Sequence, residues 1–139
     1  MMSYGNAYVA QVSMGANKVQ LLNALTEAKN YDGPSLIIAY SPCIAHGVPM
    51  QKSQTEERLA VESGFWHLFR YNPALQAEGK NPFILDSKAP NVDLREFLLG
   101  ENRFTSLMRL YPDRAEELFA QAKQESDRLF EFYSKLAAR

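Results

Sequence analysis

In this chain of 139 residues, Cys43 and His46 stand three positions apart in the stretch Ser41-Pro42-Cys43-Ile44-Ala45-His46-Gly47. A thiolate beside an imidazole is ligand chemistry for a metal ion or an iron–sulfur cluster, yet such a site takes about four ligands. Cys43 is the only cysteine and His46 is one of two histidines, so the chain does not close such a site by itself. Read from residue types, Cys43 is a small buried hydrophobe, as most free cysteines are. His46 reads as an ordinary loop histidine, with a hydrogen bond to a thiolate or phosphate as its functional alternative. His67 follows Phe65-Trp66 and reads as a satisfied histidine in an aromatic patch. Glu56, Glu57 and Glu62 lie on one expected helix and read as a solvated face rather than an acid–base pair. Phe65, Trp66, Phe69, Tyr71 and Phe83 read as core or subunit interface. There is no Ser/His/Asp order with elbow glycines, no P-loop and no GxGxxG.

The elements around these residues follow from periodicity. Tyr8 to Met14 mixes aromatic, β-branched and small residues and reads as a strand, broken by Gly15. Asn17, three before Gln20, opens a helix whose Leu21, Leu22, Leu25 and Ala28 form one apolar face. Asp32-Gly33-Pro34 ends it with turn residues. Ser35 to Tyr40 is a continuous apolar run, the pattern of a parallel strand buried on both faces. Strand, helix and strand make a βαβ unit, with a right-handed crossover expected. The cysteine loop, Ser41 to Lys52, leaves the C-terminal end of that second strand, where open α/β sheets bind ligands. Pro42 and Gly47 stiffen and turn it.

Ser53 with Glu56 forms a capping-box pattern for a helix to about Ser63. Phe65 to Tyr71 and Pro82 to Leu85 are expected to pair as antiparallel strands across the polar connection Asn72 to Asn81. Short helices follow over Asp93 to Leu99 and Arg103 to Leu110, then a long one opened by Pro112 and interrupted in its apolar pattern around Ser126. Two strands do not make a stable parallel sheet, so the first half needs partners.

Composition sets the outer bounds. A hydrophobic share of 46% supports a core, and fifteen basic against sixteen acidic side chains leave no basic field for nucleic acid or an anionic membrane. No apolar run nears the roughly 20 residues that span a bilayer. Met1 to Ala10 lacks the pattern of a secretory signal, and a single cysteine excludes an internal disulfide. These bounds point to a soluble, cytoplasmic protein. Strand-like sequence within the first ten residues fits either a natural start or a chain cut inside a larger domain.

Three stretches, Met2 to Asn17 (MSYGNAYVAQVSMGAN), Tyr31 to Gly47 (YDGPSLIIAYSPCIAHG) and Phe65 to Lys88 (FWHLFRYNPALQAEGKNPFILDSK), resemble the C-terminal end of pyruvate:ferredoxin (flavodoxin) oxidoreductases. The resemblance is ordered and runs along the whole chain, with GPSLIIAYSPCIAHG its most specific block. It implies the C-terminal part of a parallel-sheet domain that binds thiamine diphosphate. Residues 1–64 would be its βαβ portion with the cysteine loop, and residues 65–139 an aromatic hairpin and helical extension of the same domain. The implied parent decarboxylates pyruvate oxidatively with coenzyme A, giving acetyl-CoA and CO2. Thiamine diphosphate with Mg2+ forms the carbanion, and 4Fe-4S clusters pass electrons to ferredoxin or flavodoxin.

The resemblance further implies a cytoplasmic homodimer and makes Cys43, in its SPC motif, a ligand of the 4Fe-4S cluster nearest the cofactor. Ser3, Tyr4 and Gly5 are expected to approach that cofactor. The family's pyrophosphate- and magnesium-binding motif and the other three cysteine ligands are not in this sequence. By itself the chain is therefore expected to be inactive and to hold no 4Fe-4S cluster, and its open sheet edge is expected to favour dimerisation. Two alternatives remain open: a free-standing interaction module derived from that domain, and an oxidoreductase for another 2-oxoacid.

Overall fold

The computed structural model describes residues 1–139 and contains strands β1 (Tyr8–Val12), β2 (Ser35–Ala39), β3 (Phe69–Tyr71) and β4 (Phe83–Leu85). They form one open sheet of order β2-β1-β3-β4. β1 and β2 run parallel, with Val9 opposite Leu36 and Gln11 opposite Ile38. Helix α1 (Lys18–Asn30) connects them, so the expected βαβ unit is present. β3 adds antiparallel to β1, and β4 antiparallel to β3, giving the expected hairpin and an α/β fold on a mixed sheet.

Which strand is buried differs from the sequence expectation. β1, like β3, has neighbours on both sides, and its Tyr8, Ala10 and Val12 are wholly buried. β2 carries the more continuous apolar run but lies at the edge, with Leu36 and Ile38 at 36% and 38% exposure. Ile37 packs with the core under α1, so the apolar side chains left open on this edge strand are Leu36 and Ile38, which point to the opposite face.

The cap of α1 forms as expected: the Asn17 side chain accepts from the Gln20 amide at 2.9 Å. The apolar face does not. Leu21 and Ala28 pack with buried Ala24 against β1, while Leu22 and Leu25 point outward at 62% and 48% exposure. Successive helical residues are rotated by about 100°, so Leu21 and Leu22 do not share a face. Small Ala24 and Ala28 let the helix sit close to the sheet.

Helix α2 (Ser53–Glu62) begins without the expected capping box. A 3-10 turn over Met50–Lys52 runs straight into it, so Ser53 is already helical, at φ −52° and ψ −49°. A residue in that conformation is inside the helix and does not cap it. Gly15, in the turn three residues after β1, lies where the chain passes against α2: an added Cβ would lie 2.4 Å from the Gln54 carbonyl oxygen. Its amide donates to Glu57 Oε2 at 2.6 Å.

Beyond β3, the polar connection contains one helical turn, α3 (Ala74–Ala77). Helices α4 (Leu94–Leu99), α5 (Asn102–Leu110) and α6 (Pro112–Ala137) complete the chain. α6 runs unbroken through Ser126, which is buried and donates its hydroxyl to the Gly64 carbonyl at 2.8 Å. The break in its apolar pattern is thus a polar contact within the interior. The aromatic residues divide between two cores rather than one. Phe65 and Trp66 pack with Phe97 and Phe119 among the helices, while Phe69, Tyr71 and Phe83 pack with Tyr133 on the sheet. No helix is long and apolar enough to cross a membrane.

Candidate functional site

The cysteine loop begins from a half-buried root. Tyr40 follows β2, and its amide donates to the Val12 carbonyl at 3.0 Å, extending the parallel pairing by one residue. Its ring sits among Trp66, Phe65 and Phe97, with centroids at 5.5, 6.2 and 6.3 Å. The Tyr40 hydroxyl donates to Glu101 Oε1 at 3.0 Å. Burial, reinforced by Glu101, raises the Tyr40 phenol pKa, so the group stays a donor.

From this root the chain turns into solvent. Cys43 is exposed, which corrects the reading of it as a buried hydrophobe. The edge position of β2 contributes: the loop leaving it has a neighbouring strand, β1, on one side only. A 3-10 turn over Ile44–His46 follows, with the His46 amide donating to the Cys43 carbonyl at 2.9 Å and Gly47 to Ile44 at 3.0 Å. Gly47 reverses the chain at φ +80°, a conformation that favours glycine, with Asn102 packed where a side chain would begin. Val48 then returns to the interior.

Two carboxyl groups lie beneath this loop. Glu101, 1% exposed, accepts from Tyr40 and from Arg103 Nε, and His46 Nδ1 stands 3.9 Å from its second oxygen. Glu56 and Glu57 are also buried, at 8% and 6% exposure, so they are not the solvated face that their spacing suggests. Only Glu62 of the three remains substantially open. Glu57 is occupied by the Gly15 amide, but Glu56 Oε1 is buried without a hydrogen-bond partner. Burial and then the adjacent Glu101 hold the Glu56 pKa above the usual carboxylate range, with Lys52 opposing.

That direction has a testable consequence. A raised folded-state pKa stabilises the fold below the unfolded value of 4.5, and the contribution is lost as pH rises through the folded value. At pH 7, Glu56→Gln removes a poorly accommodated charge and is expected to raise Tm by about 3 °C. The difference should vanish in melts at pH 4. A Tm at pH 7 lower than that of the parent chain would contradict this account of Glu56.

His67 is buried at 1% exposure against Phe130 and Tyr133, with ring centroids at 5.8 and 5.6 Å. It lies in an aromatic patch as expected, but its Nε2 has no partner, so it is not fully satisfied. Burial lowers its pKa, against a backbone contact with Ser126, and favours the neutral ring. The histidines and Cys43 do not converge: no group of three or more His, Cys, Asp or Glu stands together as a metal site. Ser3, Tyr4 and Gly5 precede β1, whereas Cys43 follows β2. Because the two strands are parallel, these positions occupy opposite ends of the pair and do not meet.

A second polar cluster fixes the sheet against α1. Arg70 on β3 grips Asp86 with Nε at 2.9 Å and Nη2 at 2.8 Å, and its Nη1 reaches Glu27. Tyr8 donates to Glu27 at 2.9 Å, and Gln20 to Asp86 at 3.0 Å. Neither this cluster nor the Glu101 contacts were visible in the sequence. Tyr40 and Glu101 are separated by 61 positions, and no local pattern joins them.

The structure thus defines an α/β segment that presents one thiol at the end of a parallel strand pair. No protein-family model matches the sequence. Similar curated proteins share its whole length, however. A pyruvate:ferredoxin oxidoreductase of Moorella thermoacetica is 58% identical over 98% of this chain. A pyruvate-flavodoxin oxidoreductase of Enterobacter agglomerans is 53% identical over 99%, and a mitochondrial pyruvate dehydrogenase [NADP(+)] of Euglena gracilis is 44% identical over 97%. Over nearly its whole length the chain is therefore similar to one segment of pyruvate:ferredoxin and pyruvate-flavodoxin oxidoreductases. It spans 12% of the length of the first two relatives and 8% of the third.

Proposed function

We propose that this chain supplies the cysteine-bearing strand-end loop of an enzyme that oxidatively decarboxylates pyruvate with coenzyme A and passes the electrons to ferredoxin or flavodoxin. The observation that carries this reading is identity of 42–58% to pyruvate:ferredoxin and pyruvate-flavodoxin oxidoreductases across nearly the whole chain. The structure supports a specific part for Cys43. Its thiol is exposed, on a loop whose root packs half-buried among aromatic rings, beyond the C-terminal end of a parallel strand. Cofactors of open α/β sheets bind at such ends.

On this reading the Cys43 thiolate is one ligand of a 4Fe-4S cluster. An accessible thiol fits that role, and one ligand is what this chain offers, since no second cysteine exists. A cluster held there supplies one-electron transfer. The residues of this chain hold the thiol and anchor the loop root among the partly buried rings of Tyr40, Phe65 and Trp66. Thiamine diphosphate with Mg2+, the remaining thiolates, pyruvate and coenzyme A are bound by other parts of the parent, which works as a cytoplasmic homodimer.

The test is Cys43→Ala in the polypeptide that carries this sequence in its source cells, purified without oxygen. Expected results are the loss of one cluster's iron and electron paramagnetic signal, and slower reduction of ferredoxin or flavodoxin by pyruvate. Unchanged iron content and unchanged acceptor reduction would remove Cys43 from the ligand set.

A further inference from the structure

The Cys43 loop is held by residues nearly sixty positions away, at the junction between α4 and α5. We infer that Glu101 is a positioning residue, which clamps the root of this loop through Tyr40 and, with Asn102 and Arg103, fixes where the thiol stands. This inference rests on the reading of Cys43 as a ligand for its function, but its geometry is independent of that reading.

Glu101 occupies the N-cap position of α5, where a short Ser, Thr, Asp or Asn side chain ordinarily accepts from the helix amides. Here it makes no cap hydrogen bond. Its carboxyl group is turned away to the loop, accepting from the Tyr40 hydroxyl on one oxygen and from Arg103 Nε on the other. A carboxyl at 1% exposure is costly to bury, and these donors offset that cost. One oxygen is therefore committed to the distant Tyr40, while Arg103 of its own helix holds the other.

The adjacent residues complete the clamp. Asn102 lies against the α-carbon of Gly47, so closely that an added Cβ would meet its side-chain atoms at 2.3 to 2.7 Å. His46 stands 3.9 Å from Glu101. Both ends of the loop thus meet one short segment, while the loop supplies few contacts of its own: Ser41 Oγ reaches only the carbonyl of neighbouring Pro42, at 3.5 Å. Cys43, exposed between the two ends, takes its position from them. A thiol held at its flanks and free at its tip keeps its place without losing access.

The lone cysteine makes this directly measurable. A nitroxide label on Cys43 reports the motion of the loop, and hydrogen exchange reports the His46 and Gly47 amides, which close the 3-10 turn. In Glu101→Ala the label is expected to lose its slow-motion spectral component. Exchange of the two amides should quicken about ten-fold, while β1 and α6 keep their protection. Glu101→Gln, isosteric and still an acceptor for Tyr40, should restore most of both signals. If the alanine variant does not fold, Tyr40→Phe removes the donor alone and is expected to give the same loosening at smaller amplitude.

The inference fails if label motion and amide exchange are unchanged in the alanine or phenylalanine variant. It also fails if glutamine behaves as alanine does, or if exchange rises equally in β1 and α6. Because the label occupies the thiol, the result does not depend on whether Cys43 binds iron. The iron content of Cys43→Ala decides that separately.

Discussion

Arg70→Ala is expected to lower stability by about 3 kcal/mol, because it leaves two largely buried carboxylates without their common cation. Arg70 and Asp86 are 14% and 13% exposed at the side chain, and Glu27 is 29% exposed. The guanidinium offers Asp86 two parallel donors while a third N–H reaches Glu27, a fork that a lysine ammonium does not reproduce. The hydrogen bonds to Asp86 raise the Arg70 pKa and outweigh burial, which opposes ionisation, so the guanidinium remains charged. Asp86 also accepts from Gln20, and Glu27 from Tyr8. One cation therefore ties β3, the segment after β4, α1 and β1 together. Urea denaturation of Arg70→Ala and Arg70→Lys tests this. Both should unfold earlier, alanine more so, and a loss below about 1 kcal/mol for alanine would place the network among weak surface pairs.

Phe97→Ala is expected to cost about 4 kcal/mol, the range for deleting a wholly buried aromatic ring. Phe97 is 0% exposed and lies 4.4 Å from the Phe65 ring and 6.3 Å from that of Tyr40. It packs in the core of Ala60, Leu94, Leu98, Ala115 and Phe119. Its removal opens a cavity under the root of the cysteine loop and under α4, one turn before Glu101. Calorimetric unfolding should show the loss, and Phe97→Leu, closer in volume, should keep most of the stability. Equal melting of the alanine variant and the parent chain would mean that this core is not what joins the helices to the sheet.

Legibility in the sequence divided along a physical line. The βαβ unit, the hairpin and the helices over residues 94–99, 102–110 and 112–137 followed from apolar period, turn residues and caps, all properties of neighbours along the chain. Asn17 capped as its type suggests because nothing distant competed for it. Ser53 did not, because the preceding 3-10 turn had already made it helical. Exposure behaved in the same way. Ser35 to Ala39 has the composition of a buried strand, but a strand's place in the sheet depends on which others pair with it. Glu56 and Glu57 look solvated in sequence and are buried because α2 turns that side toward Gly15 and the α4–α5 junction.

The sequence by itself determined most secondary elements, the class of fold, the likeness to pyruvate:ferredoxin/flavodoxin oxidoreductases, and the position of Cys43 in a loop after a parallel strand. These are local matters, or matters of likeness along a chain, and both are written in residue order. Tertiary structure alone decided that β1 rather than β2 is central, that the thiol is exposed, and that Glu101 reaches Tyr40 across 61 positions. Those outcomes depend on which surfaces meet after folding. A carboxyl group carries the same chemistry in solvent or in the interior, and only its neighbours in space determine whether it solvates a surface or clamps a loop.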